Sequence, residues 1–154
     1  MYTIVSKEML TPTICRMKVR APRLAASALP GQFLIVRASE NGERIPLTIS
    51  DYNKEEGTVT IVTQQIGAST SVICSYEEGE AFADVVGPLG VPSDFTEMPA
   101  EELAGKRYIF IAGGVGTAPV IQFIVIGTCK CIYFLESSIS SNLFSCINVT
   151  IHFS

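Results

Sequence analysis

The segment Cys15-Arg16-Met17-Lys18-Val19-Arg20 alternates apolar and polar side chains without interruption. That period suits an extended strand with one face buried and the other in water. Runs of the same kind recur at close spacing. Pro30-Gly31 turns the chain before Gln32-Phe33-Leu34-Ile35-Val36-Arg37, and Asn41-Gly42 is a hairpin signal between that run and Arg44–Ser50. Glu56-Gly57 precedes Thr58-Val59-Thr60-Ile61-Val62-Thr63, and Phe82–Val86 adds one more short run. Several short strands so closely spaced predict a mainly β unit, a small antiparallel barrel or sandwich. One helix interrupts them. Residues 68–76 carry Val72, Ile73 and Tyr76 on one face, with Ser69 and Thr70 as capping residues and Glu78-Gly79 as a stop.

The pattern changes after residue 97. Residues 98–106 form an acidic stretch with Pro99 and read as a linker. Tyr108-Ile109-Phe110-Ile111-Ala112 is then continuously apolar, as befits a strand buried on both faces of a parallel sheet. A glycine loop follows at once, so residues 107–120 read as the opening of an α/β unit. Of the 26 charged residues, 11 basic and 15 acidic, only Lys130 and Glu136 fall beyond residue 120. Residues 121–154 form an atypical apolar tail of Ile, Phe, Ser and Cys without a clear period.

Composition excludes several roles. A net charge of -4 argues against a nucleic-acid partner, which would require a basic surface. The N-terminus lacks a basic region followed by an apolar stretch, so a cytoplasmic location is expected. Five cysteines, Cys15, Cys74, Cys129, Cys131 and Cys146, are an odd number without framework spacing and do not suggest a secreted disulfide protein. Residues 118–135 are a poor membrane span, being short and interrupted by Gln122 and Lys130. His152 is the single histidine, and no catalytic residue or metal constellation is assigned.

Three small motifs carry the chemistry. Gly67-Ala68-Ser69-Thr70 places a glycine at a helix start, where free N–H groups and a partial positive charge suit a pyrophosphate; on spacing alone the same residues read first as an ordinary helix cap after a turn. Arg44 stands two residues before Pro46. It is either a phosphate ligand or a solvated arginine at a strand end. Pro46 in a strand gives up a ladder hydrogen bond, which either frees the backbone of Leu47 and Thr48 for a ligand or marks an irregular edge. Gly113-Gly114-Val115-Gly116-Thr117-Ala118-Pro119 follows a buried strand and lets backbone wrap closely around a nucleotide, or serves as a plain strand-to-helix turn. It is neither the G-x-G-x-x-G fingerprint nor a Walker loop.

Taken in order, these stretches resemble the ferredoxin–NADP reductase superfamily. The matching segments are Glu43–Ile49, Gly57–Val62, Val85-Val86-Gly87-Pro88-Leu89-Gly90 and Ala112–Pro119. The branch most similar holds the dihydroorotate dehydrogenase electron-transfer subunit and the FAD subunit of the NADH-dependent ferredoxin:NADP oxidoreductase, also called sulfide dehydrogenase. The resemblance implies a Greek-key FAD-binding barrel over residues 1–97 and the first βα piece of an incomplete NAD(P)-binding domain. It implies that Arg44 meets the FAD phosphates and that Pro46, Leu47 and Thr48 lie against the flavin ring. Gly67, Ser69 and Thr70 would hold the pyrophosphate, and Gly113, Gly114, Gly116 and Thr117 would face the nicotinamide nucleotide. Gly87-Pro88-Leu89-Gly90 would stand at the join between domains.

In the family, electrons pass from NAD(P)H through FAD to an iron–sulfur centre and a second oxidoreductase subunit. Here Cys129-x-Cys131 and Cys146 have the wrong spacing for that cluster, which is expected to be absent. The tail after Val120 resembles nothing in the family, so the chain reads as truncated and the expected oxidoreductase as impaired. The alternative is a non-catalytic FAD-binding or subunit-docking module.

Overall fold

The computed structural model describes residues 1–105, 109–125 and 131–134. Its order is β1 (Tyr2–Thr11), β2 (Ile14–Arg20), α1 (Pro22–Ser27), β3 (Phe33–Arg37), β4 (Arg44–Asn53), β5 (Thr58–Gln64), α2 (Ala68–Ser75), β6 (Ala81–Phe82) and β7 (Asp84–Leu89). There follow α3 (Ala100–Gly105), β8 (Ile109–Ala112), α4 (Thr117–Val125) and β9 (Cys131–Phe134), with single 3-10 turns at Asp94–Thr96 and Gly114–Gly116.

The first seven strands make one antiparallel sheet in the order β6-β1-β2-β5-β4-β3-β7. β2 pairs with β5 rather than with β3, the Greek-key departure from a simple meander. β6 and β7 are separated by Ala83 alone, and they bond to opposite ends of the sheet, β6 to β1 and β7 to β3. Ala83 N–H reaches the Ala38 carbonyl at 3.1 Å. A single stretch thus brings the two ends of the sheet together into a nearly closed barrel.

Burial follows the alternation in β2, where Cys15, Met17 and Val19 are inside and Arg20 is exposed. Arg16 pairs across the ladder with Glu8. Ile4, Met17, Leu34, Ile49, Ile61 and Ile73 are the large side chains that fill the barrel.

Several elements differ from expectation. β1 carries register shifts between Ile4 and Ser6 and between Met9 and Thr11, and these break the alternation that would mark a strand. α1 has six residues, too few for a helical period, though Pro22 stands in its first turn. On α2 the buried residues are Ile73 and Cys74, while Val72 is exposed. The acidic segment read as a linker contains α3. β7 runs through Pro88 to Leu89, which a strand at the end of the sheet order tolerates. β8 pairs in parallel with β9, inside the stretch that showed no period.

Ile61 lies between Met17 and Ile49 in register and is fully buried. Ile61→Ala should cost about 2–5 kcal/mol, read as a lower urea midpoint at unchanged slope. Val91→Ala, at a residue 84% exposed, should move the midpoint by no more than about 0.5 kcal/mol. Equal effects at both positions would overturn this placement of the core.

Candidate functional site

β4 changes partners along its length. Arg44 to Thr48 pair with β3, where Ile35 faces Pro46, Leu34 faces Leu47 and Phe33 faces Thr48. Pairing with β5 begins only at Ile49. The residues Arg44–Thr48 are therefore bonded on one side, and Pro46 has no N–H to give. The ladder to β5 shifts register between Ile49 and Asp51. Ser50, within that shift, is buried and donates its hydroxyl to the Thr60 carbonyl at 3.0 Å.

Arg44 stands at the exposed start of this strand. Its Nη1 donates to Asp84 Oδ2 at 3.1 Å across to β7. Arg37 lies opposite both residues, in register with Arg44 on β4 and with Asp84 on β7. Beside this cluster, the N-terminus of α2 comes to the start of β4, because the Ser69 hydroxyl donates to the Glu43 carboxylate. Between them lies a cavity of about 140 Å³ lined by Gly42, Glu43, Ile45, Ser69, Val72 and Ile73 among others. The exposure of Val72 has its reason here, since the side chain forms a wall of this cavity.

Thr70 works as a local clamp. Its hydroxyl accepts from the N–H groups of Ile66 and Gly67, each at 3.0 Å. The first intrahelical bond runs from Ser71 N–H to the Gly67 carbonyl at 3.0 Å, which leaves the amides of Ala68, Ser69 and Thr70 ahead of the helical ladder. A Cβ built at Gly67 would meet nothing within 4 Å. The space beside Gly67 is therefore open, while the Glu43 carboxylate takes the Ser69 hydroxyl. Helix-start amides, a hydroxyl and an exposed arginine at the start of β4 are donor types that suit a dinucleotide diphosphate.

The second glycine loop is formed by the turn Gly114–Gly116 between β8 and α4. Gly114 has φ +57, a left-handed value that favours glycine, and a Cβ on Gly114 or Gly116 would project into open space. Gly113 and Gly116 are exposed, whereas Thr117 is buried. α4 lies against β4, and the turn against β5. Gln122, read from sequence only as an interruption of an apolar stretch, is buried and donates from Nε2 to the Ile49 carbonyl at 2.6 Å. Arg44 and Ile49 are thus two ends of one half-bonded strand, about 16 Å apart by strand rise. One end meets α2 and the other meets α4.

Gly87 lies in β7, where a Cβ would come within 3.0 Å of Leu34 Cβ. The Gly90 carbonyl accepts from Gln32 Nε2 at 3.0 Å. Glu43, Asp84 and Gln122 were not read as site residues. Asp84 becomes legible only once β3 and β7 are in register, and Gln122 only once α4 is seated on β4. Among the described residues there is no group of three or more His, Cys, Asp or Glu side chains able to hold a metal ion. No described helix is long and apolar enough to cross a membrane. Cys129, Cys146 and His152 lie outside the described residues.

No family model matches the sequence. Individual relatives do. An uncharacterised protein from the adh 3′ region of Clostridium beijerinckii is 58% identical over 120 residues, covering 78% of this chain and 40% of that protein. A homologue of the dihydroorotate dehydrogenase B (NAD(+)) electron transfer subunit from Thermotoga maritima is 36% identical over 115 residues, covering 75% and 38%. The solved structure of an NADH-dependent reduced ferredoxin-NADP oxidoreductase superposes with TM-score 0.71 at 30% identity, covering 87% of this chain and 46% of that one. The chain belongs to the ferredoxin–NADP reductase superfamily. It spans less than half the length of each of these three relatives. The barrel and half-bonded β4 of this reductase-like chain are the features on which its site is built.

Gln122→Leu removes the donor to the Ile49 carbonyl while keeping the volume of the side chain. Amide exchange in α4 should quicken about tenfold, equivalent to about 1.4 kcal/mol, with barrel amides unchanged. Unaltered exchange in α4 would mean that the bond does not hold the helix.

Proposed function

We propose that this chain binds FAD along β4 and is the flavin-binding part of an electron-transfer subunit linked to NAD(P)H. The observation that carries the reading is the alignment of an exposed arginine, a helix N-terminus and a strand bonded on one side only. Arg44 would hold the diphosphate together with the amides that open α2 and the Ser69 hydroxyl. The open side of Pro46, Leu47 and Thr48 would receive the flavin ring. Gly67 would let the backbone approach, and Thr70 would keep the turn rigid. Gly113, Gly114 and Gly116 would face the nicotinamide nucleotide, with Thr117 supporting the loop from its buried position.

The present partner of Arg44 does not stand in the way. The ion pair with Asp84 joins side chains 53% and 29% exposed, a setting in which such pairs contribute at most about 1 kcal/mol. Only Nη1 is engaged there, so the guanidinium keeps donors for a phosphate. Charge-assisted bonds to phosphate are worth about 1.5–3 kcal/mol, so the ligand wins the competition.

When bound, FAD supplies the exchange between two-electron hydride transfer and single-electron transfer. The chain itself then need only bind, orient and shield, which agrees with a site that has no assigned acid or base. We take residues 1–97 as the flavin unit and residues 107–120 as the start of the nicotinamide unit. The partner would be a second oxidoreductase subunit with an iron–sulfur centre. Both relatives named for an activity carry an NAD(+)- or NADH-dependent function in their names, which supports the class of donor.

Purified protein should take up FAD, with flavin fluorescence reporting the dissociation constant. Arg44→Ala should weaken binding about 10- to 100-fold, a loss of about 1.4–2.8 kcal/mol, and Arg44→Lys should recover part of it. Unchanged affinity in Arg44→Ala would refute the assignment. Bleaching of the bound flavin by NADH under anaerobic conditions is expected of a reductase. A yellow protein that NADH leaves unbleached would be the non-catalytic binding or docking module instead.

A further inference from the structure

The first 125 residues contain two cysteines, Cys15 and Cys74, and the fold brings them together. Cys15 sits in β2, opposite Met9 of β1 and Thr63 of β5, and is fully buried. Cys74 is on the inner face of α2 and is 2% exposed. They are 59 positions apart in sequence, yet their sulfurs are 2.7 Å apart, a short move from the bonded distance of about 2.05 Å. Both are free thiols. A buried cysteine ordinarily acts as a small apolar side chain. Two that meet between a strand and the one helix bordering the cavity are placed for more than packing.

We propose that Cys15 and Cys74 are a reversible redox pair, oxidised by a hydroperoxide to an intramolecular disulfide that staples α2 to β2. The surroundings divide the two roles. The Cys15 thiol donates a hydrogen bond to Cys74. That bond is the main cause that holds Cys74 down at about 7 against burial, and Gln65 and the Lys7 ammonium act in the same direction. Cys15 is pushed up, first by its hydrogen bond with Cys74 and then by burial. Lys7 is itself fixed, with a side chain 10% exposed and Nζ 2.6 Å from the Glu77 carboxylate.

Cys74 is therefore the attacking thiolate and Cys15 the resolving thiol. The Cys74 sulfur attacks one peroxide oxygen, the O–O bond breaks, and hydroxide leaves a sulfenic acid on Cys74. Cys15 sulfur then attacks the Cys74 sulfur, the S–O bond breaks, and the Cys15 proton leaves with the hydroxyl as water. The two sulfurs lose two electrons and the peroxide gains them. Hydrogen peroxide is little larger than water, and Ser71 and Ser75 of α2 are exposed, so a small local opening of this helix admits it. A dithiol reverses the reaction. The consequence is mechanical, because the helix that is stapled presents Gly67, Ser69 and Thr70 at its other end.

The test needs no flavin, and so it stands or falls separately from the binding reading. The full chain is treated with a few equivalents of hydrogen peroxide, blocked with an alkylating agent under denaturing conditions and digested without reductant. Expected are a mass loss of about 2 Da, a peptide linking Cys15 to Cys74, reversal by dithiothreitol and a thermal midpoint raised by about 5 °C or more. The triple variant Cys129→Ser, Cys131→Ser, Cys146→Ser should behave identically. In Cys15→Ser the sulfenic acid on Cys74 should persist and be trapped by dimedone. With a thiolate midpoint near 7, oxidation should be about tenfold slower at pH 6 than at pH 8. Both cysteines remaining open to alkylation, a disulfide to one of the three tail cysteines instead, or a linked protein with a lowered midpoint would each overturn the proposal.

Discussion

Everything in the site depends on β4 exchanging one neighbour for another at Ile49. Up to Thr48 the strand leans on β3 alone, and from Ile49 it is held by β5. The stretch that drops half its hydrogen bonds, Arg44–Thr48, is exposed or half-buried, where unpaired backbone groups cost little; burial begins at Ile49. Two residues ease the exchange. Pro46 has no N–H to satisfy, and Ser50 supplies a side-chain bond to the Thr60 carbonyl where the ladder loses register. The outcome is a strip of backbone that is rigid on one side and available on the other. On the proposed reading this strip receives a flat ring, and it is made from the wall of the barrel and not added to it.

α2 has two duties that pull against each other. Its inner face must complete the core, with Ile73 buried and Tyr76 both tilted against Phe82 and bonded to the Ala38 carbonyl at 2.8 Å. Its first turn must stay open if it is to receive an anion, as proposed. A helix of eight residues has little stability by itself, so packing fixes it. The bonds from Ile66 and Gly67 to Thr70 fix the entry of the chain, and Ser69 with Glu43 ties that entry to β4. The cavity exists because these anchors flank it without filling it.

Much of the barrel could be read from residues whose neighbours in sequence already declare their environment. β2 shows a clean period because it has one wet face and one dry face, and the turns before β3 and β5 are marked by glycine. β1 was not legible, because its register shifts turn successive side chains out of alternation. The face of α2 was partly misjudged, since helical geometry alone groups Val72 with Ile73 and cannot tell that a cavity lies between Val72 and β4. Arg44, Gly67 and the second glycine loop were legible as candidate nucleotide ligands. Their counterparts were not. Asp84 meets Arg44 only through the pairing of β3 with both β4 and β7, and Cys15 meets Cys74 only when a strand and a helix far apart in sequence are brought into contact.

The barrel core is drawn wholly from residues between Ile4 and Val85. Leu103, Ala112 and Ala118 are buried as well, but outside that cluster. Among the described residues, the cluster that β6 and β7 help to enclose is therefore made of barrel side chains. α4 lies against β4, and there Gln122 reaches the Ile49 carbonyl at the residue where β4 changes partner. The position is consequential. A hydrogen bond there touches the strand at its least redundant point, so a shift of α4 bears on the same backbone that presents Pro46, Leu47 and Thr48. If both glycine loops bind nucleotides as proposed, they need no long relay between them, because each lies by the same strand and the strand itself is the connection.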